Sequence, residues 1–308
     1  MNSLSSDPLD RADRALMSLD GLSIGDAFGQ RFFSKDAWQW QKERTLPPGP
    51  WNYTDDTEMA LGLHDCLIRY GHVDQDKLAK IFAERFHRDP WKGYGGTVRG
   101  VLRGIHDGIP WRTLAPLAYS GEGSMGNGSA MRVGVLGAWF ADDPDRLVRE
   151  ARLSAEVTHS HTDGQAGAIA VAVATALMWR HKTFDAQKFF STILAATPAG
   201  YTHDGIARAA DLPSRYTIAS AVIALGNGNQ LTCSDTIPLC LWIIGRHGPD
   251  FQEAMWSAVS AEGDRDTICA IIGSIIGCWG GLPNLPEPWK LLREPLQFDV
   301  DQRPFSTI

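Results

Sequence analysis

Thr54-Asp55-Asp56-Thr57, near the start of the chain, is answered near its end by Asp264-Arg265-Asp266-Thr267. Each segment places two carboxylates and at least one threonine hydroxyl within four residues, and each leads into an apolar, small-residue run of helical spacing. Carboxylates packed that closely repel one another and are costly to desolvate unless something positive lies between them. A hard divalent cation is the natural neutraliser, and an oxygen-only donor set selects Mg²⁺, Mn²⁺ or Ca²⁺ over zinc. If the two segments meet, four carboxylates and two hydroxyls are available to a pair of cations, a recurring arrangement for hydrolysis. The competing structural reading makes each segment an acidic helix N-cap, favoured by the dipole. Two such segments in one chain favour the shared site.

Two further stretches carry candidate chemistry. Gly126-Asn127-Gly128-Ser129-Ala130-Met131-Arg132 is a glycine-rich helix start. Its backbone amides and the following dipole suit an anion. Arg132 falls in the first helical turn, where a structural role is equally open. In Thr158-His159-Ser160-His161 the histidines are at i, i+2, off a common helical face, which disfavours a zinc pair. Hydrogen bonding and ligand contact both remain open for His159.

These segments must be positioned by helices. A frayed start over Met1–Pro8 precedes a helix from about Leu9 that runs into Gly25-Asp26-Ala27-Phe28-Gly29, where small residues admit a neighbouring backbone. Residues 30–52, rich in tryptophan and proline, read as a covering loop. Thr54 caps the next helix, Asp74 the one over 74–87, and Thr97–His106 is a short helix after a turn-rich break at 91–96. Helical spacing recurs over 130–141, 145–157, 164–181, 185–196, 217–225, 235–246, 250–259 and 267–279, with loops at 120–128 and 198–216. Pro286 and Pro288 close the globule and the last residues read as extended. Period-2 strands are absent, so the expected fold is all-α, one compact domain with a core over about 9–290.

Bulk properties agree. The chain has 308 residues, 44% hydrophobic and 21% charged, with a net charge of −7. That charge argues against a broad basic surface for nucleic acid. Five cysteines without CxxC spacing read as buried free thiols in a reducing compartment. The N-terminus lacks a signal-peptide core and Ala166–Trp179 is too short to span a bilayer, so the expected setting is cytoplasmic, without membrane contact. Nothing demands more than a monomer.

Taken in order, the motifs resemble the ADP-ribosylglycohydrolase family: G-D-A-x-G at 25–29, T-D-D-T at 54–57, G-N-G-x-x-M-R at 126–132, Thr158-His159, and D-x-D-T at 264–267. The similarity spans about Leu19 to Gly281. It implies an all-helical fold around a cleft with two Mg²⁺ (or Mn²⁺) ions held by Thr54, Asp55, Asp56, Asp264, Asp266 and Thr267. It implies that Gly126, Asn127, Gly128, Ser129, Met131, Arg132 and His159 hold ADP-ribose, with Asp55 also touching the ribose hydroxyls. Asp55, Asp56 and Asp266 are the catalytic candidates for cleavage at the anomeric carbon of an ADP-ribosylated substrate. Two positions depart from the pattern. Arg265 stands where D-T-D-T is usual, and Phe33 stands where many members carry a glutamate.

Two rivals are weighed. One keeps the fold but not catalysis: an ADP-ribose reader or an inhibitor of a toxin transferase, supported by Phe33 alone. The other is a helical metal-dependent phosphohydrolase, which usually uses a His-Asp pair. Here His64-Asp65 lies on an apolar helix and reads as structural.

Overall fold

The computed structural model describes residues 4–300. Residues 1–3 of the expected frayed start, and the terminal 301–308, lie outside the described residues. Seventeen α-helices follow one another among the described residues: α1 (Pro8–Arg31), α2 (Ala37–Glu43), α3 (Asp55–Tyr70), α4 (Gln75–Arg88), α5 (Gly96–His106), α6 (Trp111–Leu117), α7 (Gly128–Met131), α8 (Gly134–Trp139), α9 (Pro144–Glu156), α10 (Thr162–Arg180), α11 (Ala186–Ala196), α12 (Tyr201–Asp211), α13 (Ile218–Leu225), α14 (Cys233–His247), α15 (Phe251–Ser260), α16 (Arg265–Ile276) and α17 (Glu287–Leu292). A two-residue hairpin pairs Cys278-Trp279 with Leu282-Pro283. The all-α expectation holds.

At the centre is α10, buried around most of its circumference from Ala166 to Trp179. That is the property of a core helix with no solvent face. The buried apolar side chains form one cluster reaching from Ala12 to Trp289. All five cysteines are buried and free. No helix among the described residues is long and apolar enough to cross a membrane.

The contact that makes the site is between α1 and α16. Gly21, Gly25 and Gly29 recur every four residues, so they share one face of α1. A Cβ on Gly25 would lie 2.2 Å from the Cys269 carbonyl oxygen, and one on Gly29 would lie 2.4 Å from that of Arg265. The backbones therefore touch, and only glycine allows it. This sets the start of α16 beside Asp26, one residue past Gly25.

A C-terminal strap holds the other side. Trp51 N–H donates to the Leu292 carbonyl (2.7 Å) and Glu294 N–H donates to the Trp51 carbonyl (2.9 Å). The Trp289 ring stacks on Phe28 of α1 at 4.4 Å. Residues 51–55 are thus fixed between α1 and the strap as they enter α3.

Four local expectations change. Residues 30–52 contain α2, whose Trp40 meets Phe32 edge-on and lies under Arg31. Residues 198–216 contain α12, whose first amides are taken up by buried Asp163: Thr202 N–H donates to its Oδ1 at 2.7 Å. The expected single helix over 130–141 breaks at Arg132-Val133 into α7 and α8. There the Gly128 carbonyl, the i−4 acceptor for Arg132, takes the Arg132 guanidinium at 3.1 Å instead. The helix expected over 267–279 ends at Ile276 and passes into the hairpin.

Candidate active site

Two helix N-termini meet along one wall of a cleft of about 180 Å³. One wall carries Asp55 and Asp56 from α3 with Asp264, Asp266 and Thr267 from the start of α16. Opposite lie Ser124, Gly126, Asn127, Gly128 and Met131, with His159. The two acidic segments, 210 residues apart in sequence, therefore meet, and they meet at the glycine-rich loop. Thr267 Oγ1 reaches Asp56 Oδ2 at 3.4 Å, and Asn127 Nδ2 donates to Asp264 Oδ2 at 2.7 Å.

Thr54 is the N-cap of α3, its hydroxyl receiving the Asp56 amide. At α16 the N-cap residue Asp264 makes no side-chain cap bond and gives its carboxylate to Asn127. The plain N-cap reading fails at this second segment. Asp266 instead accepts an amide, that of Thr267, at 3.0 Å.

Asp26 was not singled out as a site residue from sequence, and it stands at the centre. Its carboxylate accepts from Thr54 N–H (2.9 Å), Thr54 Oγ1 (2.9 Å), Thr57 N–H (3.1 Å) and Thr57 Oγ1 (2.6 Å). Oxygen atoms of Asp26, Asp56 and Asp266 lie within 4.8 Å of one another, close enough to hold a metal ion. Three of these donors converge on Oδ2, so Asp26 fixes the Thr54–Thr57 turn, while Asp56 and Asp266 line the cleft. The signal was present: Asp26 is the lone charge in Leu22–Gly29.

The cluster is short of positive charge and of protons. Asp56 Oδ1 is buried with no partner. The Thr54 hydroxyl lies 2.9 Å from both Asp26 Oδ1 and Asp56 Oδ2, yet has one proton to give. No basic side chain hydrogen-bonds to any of the five aspartates among the described residues. Burial, then the neighbouring carboxylates, pushes Asp55 and Asp56 well above the ordinary range. Burial and Asp266 lift Asp26 to about 7 and Asp264 to about 8. An unpartnered buried oxygen among mutually repelling acids is the donor set that a hard cation completes.

The loop wall is built differently. Ser129 and Arg132, expected to touch the ligand, point into the protein. Ser129 Oγ donates to the Gly164 carbonyl at 2.7 Å. Arg132 is wholly buried, donating to the Ser154 carbonyl (2.8 Å) and Thr158 Oγ1 (2.9 Å) with its guanidinium over the Phe82 ring. Thr158 Oγ1 receives from Arg132 and lies 2.7 Å from His159 Nδ1. Burial and Arg132 hold the His159 pKa down to about 3, so the ring is neutral, and Thr158 leaves its Nε2 unengaged. That nitrogen lies under the loop, 3.1 Å from where a Gly126 Cβ would be. Arg132 thus acts through Thr158 and His159.

The departures from the motif pattern also find places. Arg265 turns away from the carboxylates and donates to the Phe32 carbonyl at 2.8 Å, with its guanidinium over the exposed Phe33 ring at 5.6 Å. The two unusual residues contact each other outside the cleft. His64 is buried with neither ring nitrogen bonded, and Asp65 pairs with Arg85, so the His-Asp pair is structural.

A family model described as ADP-ribosylglycohydrolase matches residues 7–302. The ADP-ribosylhydrolase ARH3 of Homo sapiens is 27% identical over 315 residues, covering 88% of this chain and 86% of its own. An uncharacterised protein of Archaeoglobus fulgidus is 29% identical over 283 residues, covering 87% and 88%. A solved structure described as an ADP-ribosylglycohydrolase-related protein complex shares the fold, with a TM-score of 0.65 at 24% identity over 91% of this chain and 92% of that one. With its motifs in one cleft and the family model spanning nearly its whole length, the chain belongs to the ADP-ribosylglycohydrolase family and is a glycosidic-bond hydrolase.

Proposed function

We propose that this cleft binds the ADP-ribose part of a modified acceptor and hydrolyses the bond at the ribose anomeric carbon. The observation that carries the reading is the meeting of Asp55-Asp56 and Asp264–Thr267 opposite the Gly126–Gly128 loop. The diphosphate lies against this loop beside the Gly128 amide and His159 Nε2, the Gly126 and Asn127 amides being taken by Ser124 Oγ and the Leu231 carbonyl. Met131 packs the floor. Tyr119, an exposed aromatic on the rim, is the candidate platform for the adenine ring.

Thr54, Asp55, Asp56, Asp264, Asp266 and Thr267 would hold two Mg²⁺ or Mn²⁺ ions. Bound there, the ions would supply positive charge to ribose hydroxyls and lower the pKa of a water. Asp55 orients the ribose. Asp56, through Oδ1, or Asp266 takes the proton from the attacking water. Water oxygen bonds to the anomeric carbon as the bond to the acceptor breaks, and the proton taken from the water passes on to the leaving acceptor. Negative charge on Asp55, Asp56 and Asp266 favours the oxocarbenium character that develops. Binding energy from the distant diphosphate and base holds the reacting carbon in place.

The test is release of ADP-ribose from a panel of modified acceptors, with Mg²⁺ and with EDTA, beside an Asp55→Ala, Asp56→Ala double variant. EDTA abolishes release, and the variant loses on the order of 10³-fold in kcat/KM, matching several kcal/mol of charge stabilisation. A variant as fast as the parent refutes the assignment.

A further inference from the structure

Five aspartates make the cluster, and the chain itself holds the carboxylates of four. Thr54 and Thr57 hold Asp26, Thr54 and Thr267 hold Asp56, Asn127 holds Asp264, and the Thr267 amide holds Asp266. Asp55 is the exception. No side chain among the described residues donates to its carboxylate. Its direction comes from the backbone around it.

That backbone is gripped by one residue at two points. The Lys92 carbonyl accepts the Asp55 N–H at 2.7 Å. This is the first amide of α3, which has no partner within its own helix. The Lys92 ammonium folds back over the Tyr53 ring, 3.8 Å from its centroid, and donates to the Tyr53 carbonyl at 3.2 Å. Glu294 braces the arrangement. Its Oε1 accepts from that ammonium at 2.5 Å and from the Tyr53 N–H at 2.9 Å. The two ionic side chains are only 16% and 27% exposed. A charge-assisted pair partly shielded from water keeps its geometry where an exposed pair is screened. The next residue, Gly93, has φ +96° and lies directly against the carboxylate: a Cβ there would be 3.3 Å from Asp55 Oδ1. Position 92 thus fixes the start of α3 through its carbonyl, Tyr53 through its ammonium, and the wall beside Asp55 through its neighbour.

We propose that Lys92, braced by Glu294, is a positioning residue that seats the Asp55 carboxylate for the ribose. The proposal rests on the hydrolase reading of the main cleft, in which Asp55 orients that sugar. Loss of the ammonium frees Tyr53 and the 92–93 turn together, so a carboxylate with no donor side chain of its own loses its seat. The Gly126–Gly128 loop opposite takes no hydrogen bond from either partner.

The experiment uses the full chain with Mg²⁺ and the modified acceptor that the parent hydrolyses fastest. Affinities for ADP-ribose and for ADP, which lacks the distal ribose, are measured in parallel. Lys92→Met keeps most of the stem and removes the charge. It is expected to lower kcat about tenfold, since a misplacement of about 1 Å can cost up to roughly 10²-fold. It also weakens ADP-ribose binding several-fold and leaves ADP binding as in the parent. Lys92→Arg, whose guanidinium still reaches Glu294 and the Tyr53 carbonyl, restores most of both. Glu294→Gln, which keeps an acceptor for the Tyr53 amide, falls between the two. A mere staple of the fold would lower the melting temperature without separating the two ligands. Lys92→Met with the parent's kcat and ratio of ADP-ribose to ADP affinity overturns the assignment and leaves the hydrolase reading standing. So do equal losses for both ligands in Lys92→Met and Glu294→Gln. Absence of both release and ADP-ribose binding in the parent overturns the hydrolase reading and the positioning role together.

Discussion

Helix α3 carries two sets of buried carboxylates, and they are neutralised in opposite ways. Glu58 in its first turn and Asp65 two turns further on pair with Arg85 of α4, at 2.8 and 3.1 Å. Burial opposes the Arg85 charge, but Asp65, Glu58 and Asp299 outweigh it and keep its pKa above the ordinary value. At its start, Asp55 and Asp56 face Asp26, Asp264 and Asp266 with no arginine or lysine bonded to any of them among the described residues. The same fold thus completes one acidic group from within and leaves the other for a ligand. A buried charge that lacks a partner in the chain is costly, so its retention marks a site whose partner comes from outside.

The strongest way to break this contrast is to remove the internal cation. Arg85→Met strands Glu58 and Asp65, and chemical denaturation should show a loss of about 3–5 kcal/mol that Mg²⁺ does not repair. Next comes pH. In the cluster the folded-state pKa values are raised above the unfolded value of 3.8, to about 7 for Asp26 and about 8 for Asp264. Raised carboxyls bind protons more tightly when folded, so their contribution is fully present below pH 3.8 and lost as pH rises through 7 to 8. In EDTA the melting temperature should therefore fall across that window, and Mg²⁺ should restore most at the alkaline end. A flat profile in EDTA would contradict the charge shortage. The smallest effect is expected from Asp56→Asn. It relieves repulsion, so the EDTA-treated protein should melt slightly higher than the parent, by about 1 kcal/mol or less, while its response to Mg²⁺ shrinks.

What could be read from sequence follows the range of the forces involved. The cap at Thr54 and the acidic starts of α3 and α16 are local, settled within four residues, and they were legible. So was the need for close backbone approach at Gly25–Gly29. The role of Asp26 was not, because its four donors come from residues 28 and 31 positions later. The resemblance placed Ser129 and Arg132 at the ligand, and a glycine-rich helix start looks the same whether its side chains face in or out. Their direction is set by Ser154, Thr158 and Gly164, partners distant in sequence. Residues 198–216 were read as loop because Asp163, which starts α12, lies 39 positions away from the amide it receives. Strap residue Glu294, which fixes Tyr53 and Lys92, gave no signal of its own.

The glycine face of α1 has a consequence for how the enzyme comes into being. Because Asp56 meets Thr267 across 211 positions, a chain still on the ribosome has half of the carboxylate cluster until residues 264–267 emerge. Whatever bridges the two halves then acts as a clasp on that long loop. It should slow amide exchange along α1 and α16 first, and protect the tail from proteases in proportion to its occupancy.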